Sequence, residues 1–210
     1  MREKGSAERL PFKLSRRSMV LMASAGLVVG FATIVAYTGL QKFNARTASG
    51  PAAQAGYDFQ LTRADGKPFT GSELRGRPFL VFLGFTSCPE ICPTTLYELS
   101  TRLREGGASM DAILPVFISV DPERDTEEVL ARYMTSFDPR IVALRGSVVE
   151  TDKAVAAFGA YYKKFPIDDD YTVDHTAVVM LYDATGKLQG TIDTHETPDV
   201  QRKKLAMLAS

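Results

Sequence analysis

The alternation of apolar and polar residues in this chain predicts a sheet flanked by helices. The stretches 79–85 and 113–120 are almost continuously apolar, which is typical of strands buried on both faces. After Pro93 the apolar residues recur at the i, i+3, i+7 spacing of a helix with one buried face, and Gly106-Gly107 ends the pattern. A helix is therefore predicted from about Pro93 to Glu105, with its buried face formed by Leu96, Leu99 and Leu103.

The same patterns predict further elements on both sides of this strand-helix-strand unit. Strands are expected at 57–62, shortly after Asp65-Gly66, at 141–144, at 173–182 and at 188–192. Helices are expected after the N-cap residue Thr126, from Thr151 to about Tyr162, and after Thr197, whereas 163–171 is predicted to be a polar loop. The order β-β-β-α-β-α-β-α-β-β-α predicts an α/β fold with a central mixed sheet and helices on both faces.

The N-terminal quarter of the chain has a different pattern. Residues 1–18 are polar and basic, and residues 19–40 carry no charge. At about 1.5 Å per residue, a helix over 19–40 would span roughly 33 Å, enough to cross a bilayer. The basic flank predicts a cytoplasmic N-terminus, a single-pass anchor in the inner membrane, a tether over 41–56 and a periplasmic domain over 57–210. The alternative is a cleaved signal peptide, whose apolar region would normally be shorter.

Composition and charge narrow the class of protein. The chain has 210 residues, 45% hydrophobic residues and equal numbers of basic and acidic residues, 25 of each. A net charge of zero argues against a nucleic-acid binder, which normally carries a basic excess on one face. Two cysteines are too few for a disulfide-stapled scaffold, so they are either a reactive or ligating pair or simple structural residues.

Both cysteines lie in the turn between the predicted strand 79–85 and the helix that follows. The N-terminus of a helix favours a thiolate over a thiol, and three residues between Cys88 and Cys92 allow a disulfide or a shared ion. Thiolates are soft ligands, which suggests Cu(I) or zinc. Cysteines at the carboxyl end of a strand are also typical of a thioredoxin-like fold, and their position on a turn predicts an exposed site. The alternative is a pair of half-buried structural cysteines.

A metal held by two thiolates needs at least one more donor, and the chain has two histidines. His175 follows Asp174 at the start of the predicted strand 173–182, where a core imidazole is the alternative interpretation. His195 lies in a polar stretch and is predicted to be a surface residue. The separation of 83 residues between Cys92 and His175 does not say whether they meet.

Three blocks of the sequence, together with Ser136-Phe-Asp-Pro-Arg-Ile141, resemble the Sco/SenC/PrrC family over about 57–193. The blocks are Gly84-Phe-Thr-Ser-Cys-Pro-Glu-Ile-Cys-Pro-Thr-Thr-Leu96, Val116-Phe-Ile-Ser-Val-Asp-Pro-Glu-Arg-Asp-Thr126 and Tyr171-Thr-Val-Asp-His-Thr176. The resemblance implies a thioredoxin fold, an N-terminal anchor, and copper, as Cu(I) or Cu(II), bound by Cys88, Cys92 and His175. It also places Asp121 near the site, where it either tunes or briefly ligates Cu(II) or caps its loop.

The resemblance implies two functions. One is delivery of copper to the binuclear copper centre of cytochrome c oxidase subunit II during assembly, with other copper chaperones or thiol reductants as further partners. The other is thiol-disulfide exchange through Cys88 and Cys92, which keeps the target cysteines reduced. Loss of His175 separates the two, because copper transfer requires the histidine and dithiol exchange does not. A thiol peroxidase is a weaker third alternative, since the fold alone does not confer that activity.

Overall fold

A computed structural model describes residues 58–210, and these contain nine strands and four α-helices. In chain order they are β1 (Gln60–Arg63), β2 (Pro68–Thr70), β3 (Phe79–Gly84), α1 (Ile91–Gly106), β4 (Leu114–Ser119), α2 (Glu127–Met134), β5 (Val142–Arg145), α3 (Val148–Ala157), β6 (Tyr162–Ile167), β7 (Asp170–His175), β8 (Val179–Tyr182), β9 (Leu188–Ile192) and α4 (Pro198–Ala209).

Seven of the strands form one mixed sheet in the order β2-β1-β5-β4-β3-β8-β9. Strands β3, β4 and β5 are parallel, and the other pairings are antiparallel. Every residue of β3 is buried, because the strand has a neighbour on each side and its side chains pack into the core. The predicted α/β class with a central mixed sheet is confirmed. The parallel order brings the ends of β3 and β4 to one edge of the sheet.

Helix α1 packs one face into the core, as its leucine spacing predicts. Its buried residues recur every three or four positions, so they lie along one side of the helix: Cys92, Thr95, Leu96, Leu99, Ser100 and Leu103. The helix begins at Ile91, two residues before the predicted start, and so it includes Cys92. Only Cys88 lies in the turn itself.

The region predicted as a polar loop, 163–171, is instead part of a β-hairpin. Strands β6 and β7 pair only with each other and form a second, two-stranded sheet. Most β6 side chains face solvent, so the strand lacks the apolar alternation that identifies a half-buried strand. The hairpin turns at Asp168, whose φ of 50° lies in the left-handed region that aspartate tolerates.

Two other predicted boundaries are wrong. The stretch 173–182 is two strands, β7 and β8, separated by an irregular segment, so His175 ends a strand and does not begin one. Helix α3 begins after Ser147, whose hydroxyl accepts a hydrogen bond from the Glu150 N–H, and it ends at Ala157. The early end follows from Gly159, which has a φ of 62° and turns the chain out of the helix.

The predicted segments 1–18, 19–40 and 41–56 lie outside the described residues. Within residues 58–210, no helix combines the length and the apolar character needed to cross a membrane.

Candidate metal centre

The turn after β3 places one cysteine at the N-terminus of α1 and the other in its first turn. Cys88 lies three residues before Ile91, the first residue of the helix, and Cys92 is the second helical residue. The Cys92 backbone N–H donates to the Cys88 sulfur over 3.5 Å. Cys88 therefore accepts one of the N–H groups that a helix leaves unpaired at its start.

Gly84, the last residue of β3, allows α1 to approach the sheet closely. A Cβ at this position would lie 2.9 Å from the Cys92 sulfur and 2.7 Å from Cε2 of Phe117. Both distances are shorter than real Cβ contacts allow. The absence of a side chain at Gly84 therefore helps to fix the position of Cys92.

His175, at the end of β7, reaches the cysteines from the hairpin. Its Nε2 lies 3.5 Å from the Cys92 sulfur, and its Nδ1 lies 3.1 Å from the backbone oxygen of Thr176. A proton on Nδ1, donated to that oxygen, leaves Nε2 with a lone pair directed at the cysteines, as in most metal-binding histidines. The imidazole stands edge-on to Phe85, with ring centroids 5.8 Å apart, and also contacts Phe82.

The structure thus brings Cys88, Cys92 and His175 together. Their ligand atoms lie within 4.8 Å of one another, and in the described part of the chain this is the only such group of three or more histidine, cysteine, aspartate or glutamate residues. The site is less open than its position on a turn predicts. Cys92 is fully buried, and Cys88 and His175 are each 9% exposed.

The two thiols differ in acidity because they share one hydrogen bond. Donation from the Cys92 thiol, together with backbone hydrogen bonds from the start of α1, lowers the pKa of Cys88 to about 4, against the opposing effect of burial. The same bond and deeper burial raise the pKa of Cys92. Without a metal, the pair is therefore a Cys88 thiolate hydrogen-bonded by a Cys92 thiol.

This donor set fits copper. Two sulfurs and one imidazole nitrogen are the soft and intermediate ligands that Cu(I) prefers, and Cu(II) accepts the same set with an added oxygen. Both cysteines are free, so neither sulfur is engaged in a disulfide. Metal binding would release the Cys92 proton, because a coordinating sulfur must be a thiolate.

The structure places Asp121 outside the group of three. Its carboxylate is fully buried and accepts hydrogen bonds from the Tyr171 hydroxyl, over 2.8 Å, and from Nε of Arg124, over 2.5 Å. Its oxygens are therefore engaged with protein donors. These bonds support the interpretation in which Asp121 caps its loop, and they do not support the one in which it ligates Cu(II).

Asp125 has a role at this edge of the sheet that the sequence analysis missed. Its buried carboxylate accepts hydrogen bonds from the Ser119 hydroxyl at the end of β4 and from the hydroxyl and N–H of Thr86, two residues before Cys88. Burial raises the pKa of Asp125, against the effect of these donors. The sequence does contain a signal for this role. Asp125 follows closely after a buried parallel strand, and the carboxyl ends of such strands meet at one edge of the sheet.

His195 does not belong to the site. Its side chain is exposed, and its backbone N–H donates to the carboxylate of Asp193. The prediction of a surface residue is confirmed.

Comparisons with known proteins give the same family as the sequence blocks. The SCO1/SenC family model matches residues 47–210. The chain is 38% identical over 135 residues to a SCO2-like protein of Rickettsia felis, covering 63% of this chain and 66% of that protein. It is 37% identical over 136 residues to the human mitochondrial SCO1 homolog, covering 63% of this chain and 45% of that protein. The chain thus spans about half to two thirds of the length of these relatives.

A solved structure has a similar fold. Copper-bound ScoI of Bradyrhizobium japonicum is 42% identical, with a TM-score of 0.66, and the match covers 71% of this chain and 96% of that one. The family match spans far more than half of the sequence and includes all three residues of the candidate site. The chain belongs to the SCO1/SenC family.

Proposed function

We propose that this chain binds copper at Cys88, Cys92 and His175 and delivers it to the binuclear copper centre of cytochrome c oxidase subunit II during assembly. The observation that carries this proposal is the convergence of the three ligand atoms within 4.8 Å. Support also comes from the copper-bound relative, and from the family's role in oxidase assembly that the sequence blocks imply.

The burial of the three residues suggests an order for taking up and releasing the ion. Cys88 and His175 have some exposure, whereas Cys92 has none. An acceptor sulfur or nitrogen can therefore approach through Cys88 and His175, and Cys92 is the last ligand to let go. Each bond to the acceptor replaces one bond to the chain, so copper never enters solution.

The direct test is transfer of copper. The full-length chain is loaded with Cu(I) and mixed with the apo copper domain of an oxidase subunit II, and copper on each protein is measured after separation. A chelator that traps free copper, but is too weak to remove it from the loaded chain, is present throughout. We expect copper on subunit II under these conditions. Copper that stays on the chain, or that is found on the chelator instead of on subunit II, would contradict delivery.

A second candidate function, thiol-disulfide exchange, is favoured by the acidity of Cys88. A thiolate at neutral pH is the attacking species in such exchange, and the pKa of Cys88 is lowered to about 4. The Cys88 sulfur would attack a target disulfide and release one target thiolate. Cys92, losing its proton, would then attack Cys88, which forms the Cys88–Cys92 disulfide and releases the second target thiol. The chain is oxidised by two electrons and the target is reduced by two.

The two functions respond differently to His175→Ala. Tight binding of Cu(II) requires the third ligand, whereas the exchange reaction uses only the two sulfurs. Reduction of an oxidised subunit II peptide by the variant at near wild-type rate, with Cu(II) binding lost, would assign both functions to the chain. Equal loss of both activities would contradict a separate exchange function.

We also propose that residues 19–40 anchor the chain in the inner membrane, with the domain over 57–210 in the periplasm. The uncharged stretch and its basic flank at 1–18 support this placement. A reporter fused after Ser210 that is active only in the periplasm tests the orientation, and extraction of the chain by carbonate would contradict the anchor.

A further inference from the structure

The hairpin β6–β7 carries the third ligand, yet it has no strand pairing with the main sheet. Its two strands pair only with each other, and His175 is its last residue. The cysteines, in contrast, lie between β3 and α1, which are fixed in the core. Apart from the three-residue connection from His175 to β8, the distance between His175 and the cysteines therefore depends on side-chain contacts that attach the hairpin to the rest of the domain.

Arg124, in the loop between β4 and α2, makes the central contact of this kind. Its Nε donates to the buried carboxylate of Asp121 over 2.5 Å, and its Nη1 donates to the backbone oxygen of Tyr171 over 2.9 Å. Tyr171 is on β7, four residues before His175. The guanidinium also lies over the Tyr171 ring, 3.8 Å from its centroid, and the Tyr171 hydroxyl donates to Asp121. One residue of the loop thus holds β7 by its backbone and by its side chain.

The guanidinium also lies near a ring that borders the site. Arg124 lies 5.8 Å from the centroid of the Phe85 ring, and the His175 imidazole stands edge-on to that ring. Arg124 thus contacts both the strand that carries His175 and the ring that His175 packs against.

Other polar contacts of the hairpin are weaker candidates for this role. Asp170, which also pairs with Arg124, is 73% exposed, and Glu123, which pairs with Lys164, is 61% exposed. Exposed ion pairs contribute little, because water screens the charges. The bonds of Arg124 to a fully buried carboxylate and to a backbone carbonyl are the ones that resist displacement by water.

We propose that Arg124 is a positioning residue for His175: by tying β7 to Asp121, it sets the distance between the imidazole and the two cysteines. The inference rests on the proposed function only where copper is the readout. With Arg124 in place the site has three ligands, and without this tie it is a dithiol with a displaced histidine. Attachment of the β6–β7 hairpin would then decide whether the site binds copper with three ligands or acts as a dithiol.

The test compares Arg124→Gln with Arg140→Gln in the full-length chain. Arg140 is a matched control, because it also pairs with a buried aspartate, Asp138, and is similarly exposed, but it makes no contact with the hairpin among the described residues. The metal-free readout is the nuclear Overhauser contact between the His175 and Phe85 rings. We expect this contact to be lost in Arg124→Gln and kept in Arg140→Gln.

The copper readout uses Cu(II) and Cu(I) in competition with chelators of known affinity. Residues that orient metal ligands typically change metal affinity by about 10–100-fold, so Arg124→Gln should weaken Cu(II) binding by about that factor. Cu(I), which two sulfurs can hold, should change by less than about 3-fold on the same scale. In a His175→Ala background, Arg124→Gln should have no further effect on Cu(II), because the residue it positions is absent.

Each unexpected result would exclude a different part of the proposal. An unchanged ring contact in Arg124→Gln overturns the positioning role whether or not copper binds. Equal weakening of Cu(I) and Cu(II), or the same weakening in the His175→Ala background, also overturns it, since the effect then does not act through the histidine. A wild-type chain that binds no copper overturns the proposed function, while the ring contact still decides the role of Arg124.

Discussion

The acidity of Cys88 depends on Cys92, and the variant Cys92→Ala isolates that dependence. In the structure the first cause of the low pKa of Cys88, about 4 against an ordinary 9.0, is the hydrogen bond from the Cys92 thiol. A hydrogen bond to a charged group contributes about 1.5–3 kcal/mol. Since one pKa unit corresponds to about 1.4 kcal/mol, removal of this bond should raise the pKa of Cys88 by about 1–2 units.

The assay is a titration of the thiolate absorbance of the reduced, metal-free chain in the ultraviolet. At pH 5 the thiolate fraction of Cys88 should fall from about nine tenths in the wild type to between about one half and one tenth in Cys92→Ala. Cys92→Ser keeps an O–H donor and should give an intermediate pKa. Equal titration curves for the wild type and Cys92→Ala would refute the shared hydrogen bond, and a wild-type midpoint near 9 would refute the thiolate.

Two further predictions concern the support of the site. Asp125→Ala leaves three donors at the ends of β3 and β4 without their buried acceptor. It should lower the free energy of unfolding, measured in urea, by about 1–3 kcal/mol. A loss below about 0.5 kcal/mol would mean that the donors find other partners. Gly84→Ala forces a Cβ against the Cys92 sulfur and should cost about 1–3 kcal/mol of stability and weaken copper binding. Gly190→Ala, where a Cβ meets nothing within 4 Å, is the control, and equal effects of the two glycine variants on thermal unfolding would contradict the close approach at Gly84.

The parts of the fold that the sequence predicts well are those with a strong local pattern. Strand β3 is apolar throughout because it is buried on both faces, and α1 has leucines on one side because only that side meets the core. The sequence does not predict hairpin β6–β7, because that hairpin lacks a local apolar pattern. Most of its β6 side chains are in water, so its strands are specified by pairing with each other and by the turn at Asp168, neither of which produces an apolar pattern.

The candidate site likewise has one part that local sequence patterns predict and another part that they do not. Cys88 and Cys92 are four residues apart, so a turn and the start of a helix are enough to bring them together. His175 lies 83 residues from Cys92, and its approach depends on how the hairpin attaches to the domain, which no local spacing records. Only the resemblance to a known family placed it with the cysteines. Arg124 and Asp125 belonged to a recognised block, but their partners on β7 and after β3 are visible only in three dimensions.

The amount of copper bound per chain decides whether Cys88, Cys92 and His175 form a copper site. The reduced full-length protein is loaded with Cu(I) without oxygen and compared with His175→Ala and with His195→Ala, in which the exposed histidine outside the site is removed. We expect one tightly bound Cu(I) in the wild type and in His195→Ala. In parallel samples loaded with Cu(II), we expect binding in the wild type and in His195→Ala that is lost or much weakened in His175→Ala. A wild-type chain that holds no copper above background, while Cys88 and Cys92 still oxidise and reduce readily, would contradict the copper site and leave a dithiol reductant.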